Sequence, residues 1–187
     1  MKTIQIKQLS EEATLPTRHH PTDAGLDIYA SETIVLKPQE KRKLATGIAV
    51  NIPPGYVGFL TSRSGVSSET HLVIETGKID AGFIGEMKIN IKNDEQYPEL
   101  AVYQSNKANQ LNGHELLYDI KGRKIDNGNP YQVGVGRTHL IKKGDKIAQL
   151  VITPIVTPRL EITDQFDNHS ERGEKGFGSS DDEVNPQ

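Results

Sequence analysis

A single aspartate, Asp80, stands in the stretch Glu75 to Lys88, ETGKIDAGFIGEMK, bracketed by Ile79 and Ile84 and surrounded by Gly77, Ala81, Gly82 and Gly85. Gly77 and Gly82 permit positive φ and close backbone approach, so a flat ligand could lie against main-chain N–H and C=O groups at this hairpin tip. An acid placed there can act as a base, or it can simply cap the turn. A second chemical stretch is Ser62 to Ser68, SRSGVSS, whose hydroxyls, arginine and glycine suit a phosphate or other oxyanion. A third is Arg172 to Ser180, RGEKGFGSS, where backbone N–H groups, Arg172, Lys175 and two serines can cradle phosphates. Phe177, flanked by glycines, is free to lie over a base. Asp27 alternates with Leu26, Ile28 and Ala30 and so faces away from them, toward solvent or a cleft. Gln149, between Ala148 and Leu150, needs a hydrogen-bond partner, from a backbone group or an active-site water. The adjacent His19 and His20 are read as solvent-exposed, because neighbouring residues rarely point the same way and no acid cluster surrounds them.

Short strands must position these groups. KTIQIKQL (2–9), with Ile4, Ile6 and Leu9 on its buried face, is the first. The run after Gly25, TIVLK (33–37), KLATGIAVNIP (43–53), Tyr56 to Leu60, Met87 to Ile91, Thr138 to Lys142 and KIAQLVITPIV (146–156) follow, punctuated by glycine and proline. Ser64 to Leu72 is the best candidate for a short helix. The pattern predicts an all-β barrel or two-sheet sandwich. Residues 97–137 read as an insertion rich in tyrosine, with a hairpin around Lys121-Gly122-Arg123. The tail after residue 160 loses apolar content.

Composition bounds the function. The 187 residues suit one domain, and 34% hydrophobic content with no tryptophan is lean for an independent core, which favours subunits that complete one another. Mean hydropathy is -0.55 and the pI is about 6.1. A net charge of -3 is no nucleic-acid footprint. The absence of cysteine excludes disulfides and thiolate metal sites. With no leader-like segment and no long apolar run, a soluble cytoplasmic protein is expected.

In order along the chain, DAGLDI (23–28), RSG (63–65), GKIDAGFIGE (77–86), GDKIAQL (144–150) and RGEKGFGSS (172–180) closely resemble the motifs of trimeric dUTPases, with an insertion between the third and fourth like that of some phage-encoded members. The resemblance implies a distorted jelly-roll subunit over residues 1–160, a homotrimer with active sites at subunit interfaces, and a flexible arm (161–187) that closes over a neighbour's site. It implies hydrolysis of dUTP to dUMP and diphosphate with Mg²⁺. Asp80 then matches the acid that activates the attacking water and Gln149 the residue that helps hold it, while Asp27 matches the acid that binds Mg²⁺ through water. Ser64 would meet the oxygen bridging the α- and β-phosphates, with Arg63 and Gly65 completing that site. The hairpin from Gly77, through Ile79 to Ile84, would read uracil, and Met87 is placed with the substrate-binding residues. Phe177 would cap the base; Arg172, Gly178, Ser179 and Ser180 would hold the γ-phosphate. Phe83 stands where the family usually has a tyrosine under the deoxyribose, and Glu75 where many members have asparagine. Two other readings accompany this one: a dCTP deaminase-type relative, and an additional role in binding a repressor protein, as some phage-borne relatives do, for which the tyrosine-rich insertion is compatible.

Overall fold

The computed structural model describes residues 3–96, 116–126 and 136–167. Chain contacts divide it into Met1–Val156 and Thr157–Gln187. The described part of the second unit forms no strand or helix. The described part of the first unit is almost entirely β. Its strands are β1 Gln5–Gln8, β2 Gly25–Tyr29, β3 Ile34–Leu36, β4 Lys41–Ala45, β5 Ile48–Asn51 and β6 Tyr56–Ser62; one helical turn, α1 Ser64–Ser67, follows. Then come β7 Leu72–Ile74, β8 Gly77–Ile79, β9 Lys88–Asn93, β10 Leu116–Tyr118, β11 Arg137–Ile141 and β12 Lys146–Pro154. Among the described residues no helix is long and apolar enough to cross a membrane.

The strands form four small sheets, ordered β1-β5, β10-β11-β3, β2-β12-β6-β8 and β4-β9-β7. Among the described residues these strands pair antiparallel except β10 with β11. Alternation drives this arrangement: in β9, Ile89 and Ile91 are fully buried while Lys88, Asn90 and Lys92 lie on the other face. They join Ile28, Leu36, Leu44, Ile48, Leu60, Ile141 and Ile147 in one continuous core. This is the jelly-roll-like, all-β fold expected from the sequence.

Three expectations change in detail. KLATGIAVNIP is two strands, because Gly47 takes φ +65 against Ala13 and turns the chain between β4 and β5. The Ser64–Leu72 helix stops after one turn, since Leu72 is drawn into pairing with Asn93. Leu9 is not on a buried face but is 45% exposed, past the end of β1.

Candidate active site

The sheet β2-β12-β6-β8 carries the chemistry. In it Gln149 lies directly opposite both Asp27 and Thr61, so Gln149 and Asp27 share one face. β12 bulges between Lys146 and Ala148, and Lys146 therefore pairs with Tyr29, two residues along from Asp27. The bulge turns Lys146 to the face of Asp27 and Gln149, which strict alternation would deny it.

Asp27 is the hub. Its Oδ1 accepts from Arg63 Nε at 2.8 Å and its Oδ2 from Lys146 Nζ at 2.8 Å. Arg63 Nη1 also donates to the Lys146 carbonyl at 3.0 Å, and Lys146 Nζ stands 5.6 Å from the centre of the Tyr29 ring. Burial alone would raise the Asp27 carboxyl, but the Lys146 hydrogen bond and the Arg63 guanidinium outweigh it and hold the group below its ordinary value; Lys146 is correspondingly raised by its bond to Asp27. Two cations around one carboxylate leave this triad of side chains net positive. The flanking loop is tied down by Thr17, which exchanges backbone hydrogen bonds with Asp27 and meets Tyr29 Oη through its hydroxyl at 2.6 Å.

A cavity of about 380 Å³ opens over this cluster, lined by His19, Asp23, Ala24, Gly25, Asp27, Arg63, Ser64, Gly65 and Gln149. His19 is exposed as expected, yet it forms part of the rim. Gln149 Nε2 donates to the Ser62 carbonyl at 2.9 Å, so its partner is a backbone group. Its carbonyl end lies across Gly25, where any Cβ would collide with Oε1 and come within 3.2 Å of Gln149 Cβ. Ser64 opens α1 behind Arg63, an extended N-cap residue without a side-chain cap. The Ser64 carbonyl accepts from Ser68 N (2.9 Å), Ser68 Oγ (2.7 Å) and Ser67 Oγ (3.3 Å), which pins the segment from its C-terminal side.

The hairpin of Asp80 lies elsewhere. Asp80 follows β8 and begins a turn in which Phe83 N donates to the Asp80 carbonyl at 3.1 Å and Gly82 takes φ +88. Gly77 has no positive φ and lies in β8 opposite Leu60, so only Gly82 needs that freedom. Phe83 folds its ring over Gly85, where a Cβ would stand 2.9 Å from Cζ, and remains 45% exposed. Ile79 and Met87 do not reach the cavity with their side chains: both belong to the core, and Met87 also spends its N–H on Ile48 O and its carbonyl on Thr46 Oγ1. Ile79 pairs with Gly58, so Asp80 is level with Val57, whereas Arg63 and Ser64 follow the far end of β6. Val57 to Ser62 spans about 17 Å at the usual strand rise. Asp80 and Ser64 of one chain therefore lie at opposite ends of a strand. Arg172, Phe177, Gly178, Ser179 and Ser180 lie outside the described residues.

A family model described as dUTPase matches residues 11–104 and 135–181. The chain belongs to the dUTPase family. A dUTPase-named relative, the deoxyuridine 5'-triphosphate nucleotidohydrolase of Clostridium kluyveri, is 32% identical over 180 residues, spanning 95% of this chain and 96% of its own. The dUTPase of Staphylococcus bacteriophage 80alpha with dUpNHpp is 52% identical, with a TM-score of 0.82 over 96% of this chain and 99% of that one. That protein is one of the phage dUTPases said to control transfer of virulence genes by a proto-oncogenic G protein-like mechanism. The dUTPase of phage phi11 of S. aureus, in which a species-specific insert is visualised, is 50% identical with a TM-score of 0.75 over 90% of this chain and 100% of that one. The dUTPase match leaves 105–134 of this chain unmatched, and the described hairpin 116–126 falls there. Lys146 is the site residue to which the sequence reading gave no role; the Lys at the start of an apolar strand, ahead of Gln149, was the only signal for it.

Proposed function

We propose that the protein hydrolyses dUTP to dUMP and diphosphate in the cytoplasm, by in-line attack of water on the α-phosphorus, as a homotrimer whose sites are shared between chains. The observation that carries this reading is that Asp27 and Arg63, ion-paired to each other, line one cavity with Ser64, Gly65 and Gln149, while Lys146 bonds the other Asp27 oxygen. The cavity offers a polyphosphate a guanidinium, a hydroxyl and an amide in one place. The separation of Asp80 from Ser64 along β6 supports a site built from more than one chain. In this reading a single substrate meets Asp80 of one subunit beside its sugar and Ser64 of another beside its phosphates.

In the proposed reaction Asp80 accepts the proton of the attacking water, and Gln149 helps to hold that water. Ser64 donates to the bridging oxygen as diphosphate leaves, where a well-aimed donor contributes most. The backbone from Gly77 to Ile84 reads the uracil edge, and Phe83 packs under the deoxyribose. Arg172, Gly178, Ser179 and Ser180 hold the γ-phosphate and Phe177 covers the base. The residues fit Mg²⁺ held through water. Among the described residues no group of three or more His, Cys, Asp or Glu could hold a metal, so no all-protein cage is offered there. Each Asp27 oxygen, with one bond made, keeps capacity to accept from a metal-bound water. Such an ion would supply charge neutralisation on the phosphates.

The extra acids of the hairpin region are already engaged. Glu75 pairs with Lys41, and Glu86 accepts from Gly47 N at 2.9 Å. This supports dUTP hydrolysis over a deaminase-type reaction that would need an additional free acid. On its likeness to the phage relatives, we also propose that this chain binds a repressor protein, with pull-down in the presence and absence of dUpNHpp as the test. The hydrolysis reading is tested by Asp80→Asn. The variant should bind dUpNHpp normally and lose most turnover; turnover near that of the unaltered protein would refute Asp80 as the base.

A further inference from the structure

We propose that the Lys121–Gly122 turn of the insertion is a positioning brace for the Ser64 segment. The proposal rests on the role given above to Ser64 and extends it to residues far outside the cavity.

The turn is stiff. Asp119 Oδ1 accepts from Lys121 N and Arg123 N at 2.9 Å each, Asp119 Oδ2 accepts from Arg123 Nε at 2.8 Å, and Gly122 N donates to the Asp119 carbonyl at 3.1 Å. It is also fixed to the core. β10 pairs in parallel with β11, Ile120 packs against the core, and the His139 ring, fully buried, meets the Asp119 carbonyl through Nδ1 at 3.3 Å. Asn93 fastens the base, donating to the Arg137 carbonyl at 2.7 Å and the Leu36 carbonyl at 3.1 Å.

Gly122 then bears directly on the backbone that follows α1. It has φ +69, and a Cβ there would overlap the Glu69 carbonyl oxygen and stand 3.3 Å from the Glu69 carbonyl carbon. Glu69 lies between two residues that hold the helical turn. Ser68 reaches the Ser64 carbonyl with both N (2.9 Å) and Oγ (2.7 Å). Thr70 reaches the Val66 carbonyl with N (3.1 Å) and Oγ1 (2.6 Å). A displacement of Glu69 is carried to Ser64 through one turn of hydrogen-bonded backbone.

Gly122→Ala tests the brace, with Gly55→Ala as its control. Gly55 also has positive φ, +80, but a Cβ there meets nothing within 4 Å, so it carries the backbone strain without the collision. Hydrogen exchange, turnover of dUTP and inhibition by dUMP are measured on each. For Gly122→Ala, the amides of Ser68 and Thr70 should exchange faster. Its kcat/KM for dUTP should fall about tenfold or more, while the dUMP inhibition constant moves by less than about twofold, because dUMP lacks the bridging oxygen that Ser64 would meet. Gly55→Ala should leave all three as they are. Asp119→Ala, which loosens the turn without adding bulk, should shift exchange and turnover in the same direction and decides the matter if Gly122→Ala does not fold. Unchanged exchange at Ser68 and Thr70, or an equal turnover loss in Gly55→Ala, would overturn the brace. Full turnover in Ser64→Ala would overturn the catalytic role of Ser64 and with it the link to turnover, while the exchange result still decides the contact itself.

Discussion

Lys146 Nζ lies 2.8 Å from Asp27 Oδ2, and it gets there through a bulge that places Lys146 and Gln149, three positions apart, on one face of β12. Arg63 completes the arrangement from α1's N-cap position, at 2.8 Å from the other carboxylate oxygen. Asp27 is therefore held from both sides before any ligand arrives. In the proposed reaction that fixed carboxylate would hold Mg²⁺ through water, and its two partners would add positive charge near the phosphates. Lys146→Met removes one partner at nearly constant length. It should lower kcat/KM for dUTP roughly 10- to 100-fold, the equivalent of the about 1.5–3 kcal/mol a hydrogen bond to a charged group contributes. Steady-state kinetics on a variant with unchanged thermal unfolding checks this, and an unaltered kcat/KM would remove Lys146 from the site.

Gly25 and Gln149 form a second dependence. A methyl at position 25 displaces the Gln149 amide from its place over the strand and from the Ser62 carbonyl. Gly25→Ala should reduce turnover about tenfold, and adding Gln149→Ala should cost little more, since both changes remove the same placement. Fully additive losses would show that Gly25 acts in some other way.

Phe83 retains the flat ring expected under the sugar, and its contact with Gly85 fixes where that ring lies. Discrimination against UTP should survive, with kcat/KM for UTP at least about tenfold below that for dUTP. Phe83→Ala should narrow the gap. Comparable rates for the two nucleotides in the unaltered protein would contradict the assignment.

His139 gives a pH dependence of stability. Burial pushes the imidazole below its ordinary value of 6.5, against the opposing pull of the Asp119 carbonyl and Glu95, with Arg137 and His71 adding to the depression. The unfolded chain thus takes up the proton first. Stability is fully present above the unfolded value and declines as pH falls from about 6.5 through the lowered folded value. Denaturant midpoints should drop between pH 7 and 5, and the slope should flatten in His139→Leu. A slope unchanged by that substitution would place its origin elsewhere.

Most strands were legible because their apolar residues alternate: Ile89 and Ile91 in β9 announce their buried face by spacing alone. The break at Gly47 was hidden inside the apolar run around it, and only the contact with Ala13 explains it. The short α1 depends on Leu72 pairing with Asn93, a long-range choice that local propensity does not contain. In the site, residue types pointed to Asp27, Arg63, Ser64, Gly65 and Gln149, and the fold brings them to one cavity. Lys146 escaped because a bulge reverses its face. The Met87 side chain fills the core, which its place beside the glycine-rich hairpin does not announce. The distance between Asp80 and Ser64 follows from the register of β8 on β6, which no single segment encodes.

That distance makes the shared site the central claim, and subunit complementation tests it most directly. Asp80→Asn and Ser64→Ala, each nearly inactive as a pure assembly, are co-expressed in equal amounts and purified as mixed assemblies. If a site takes Asp80 from one chain and Ser64 from another, random mixing restores up to about one quarter of the unaltered dUTP turnover, since half of the chains at each position carry the needed residue. A mixture that stays as inactive as its two parents would contradict the account.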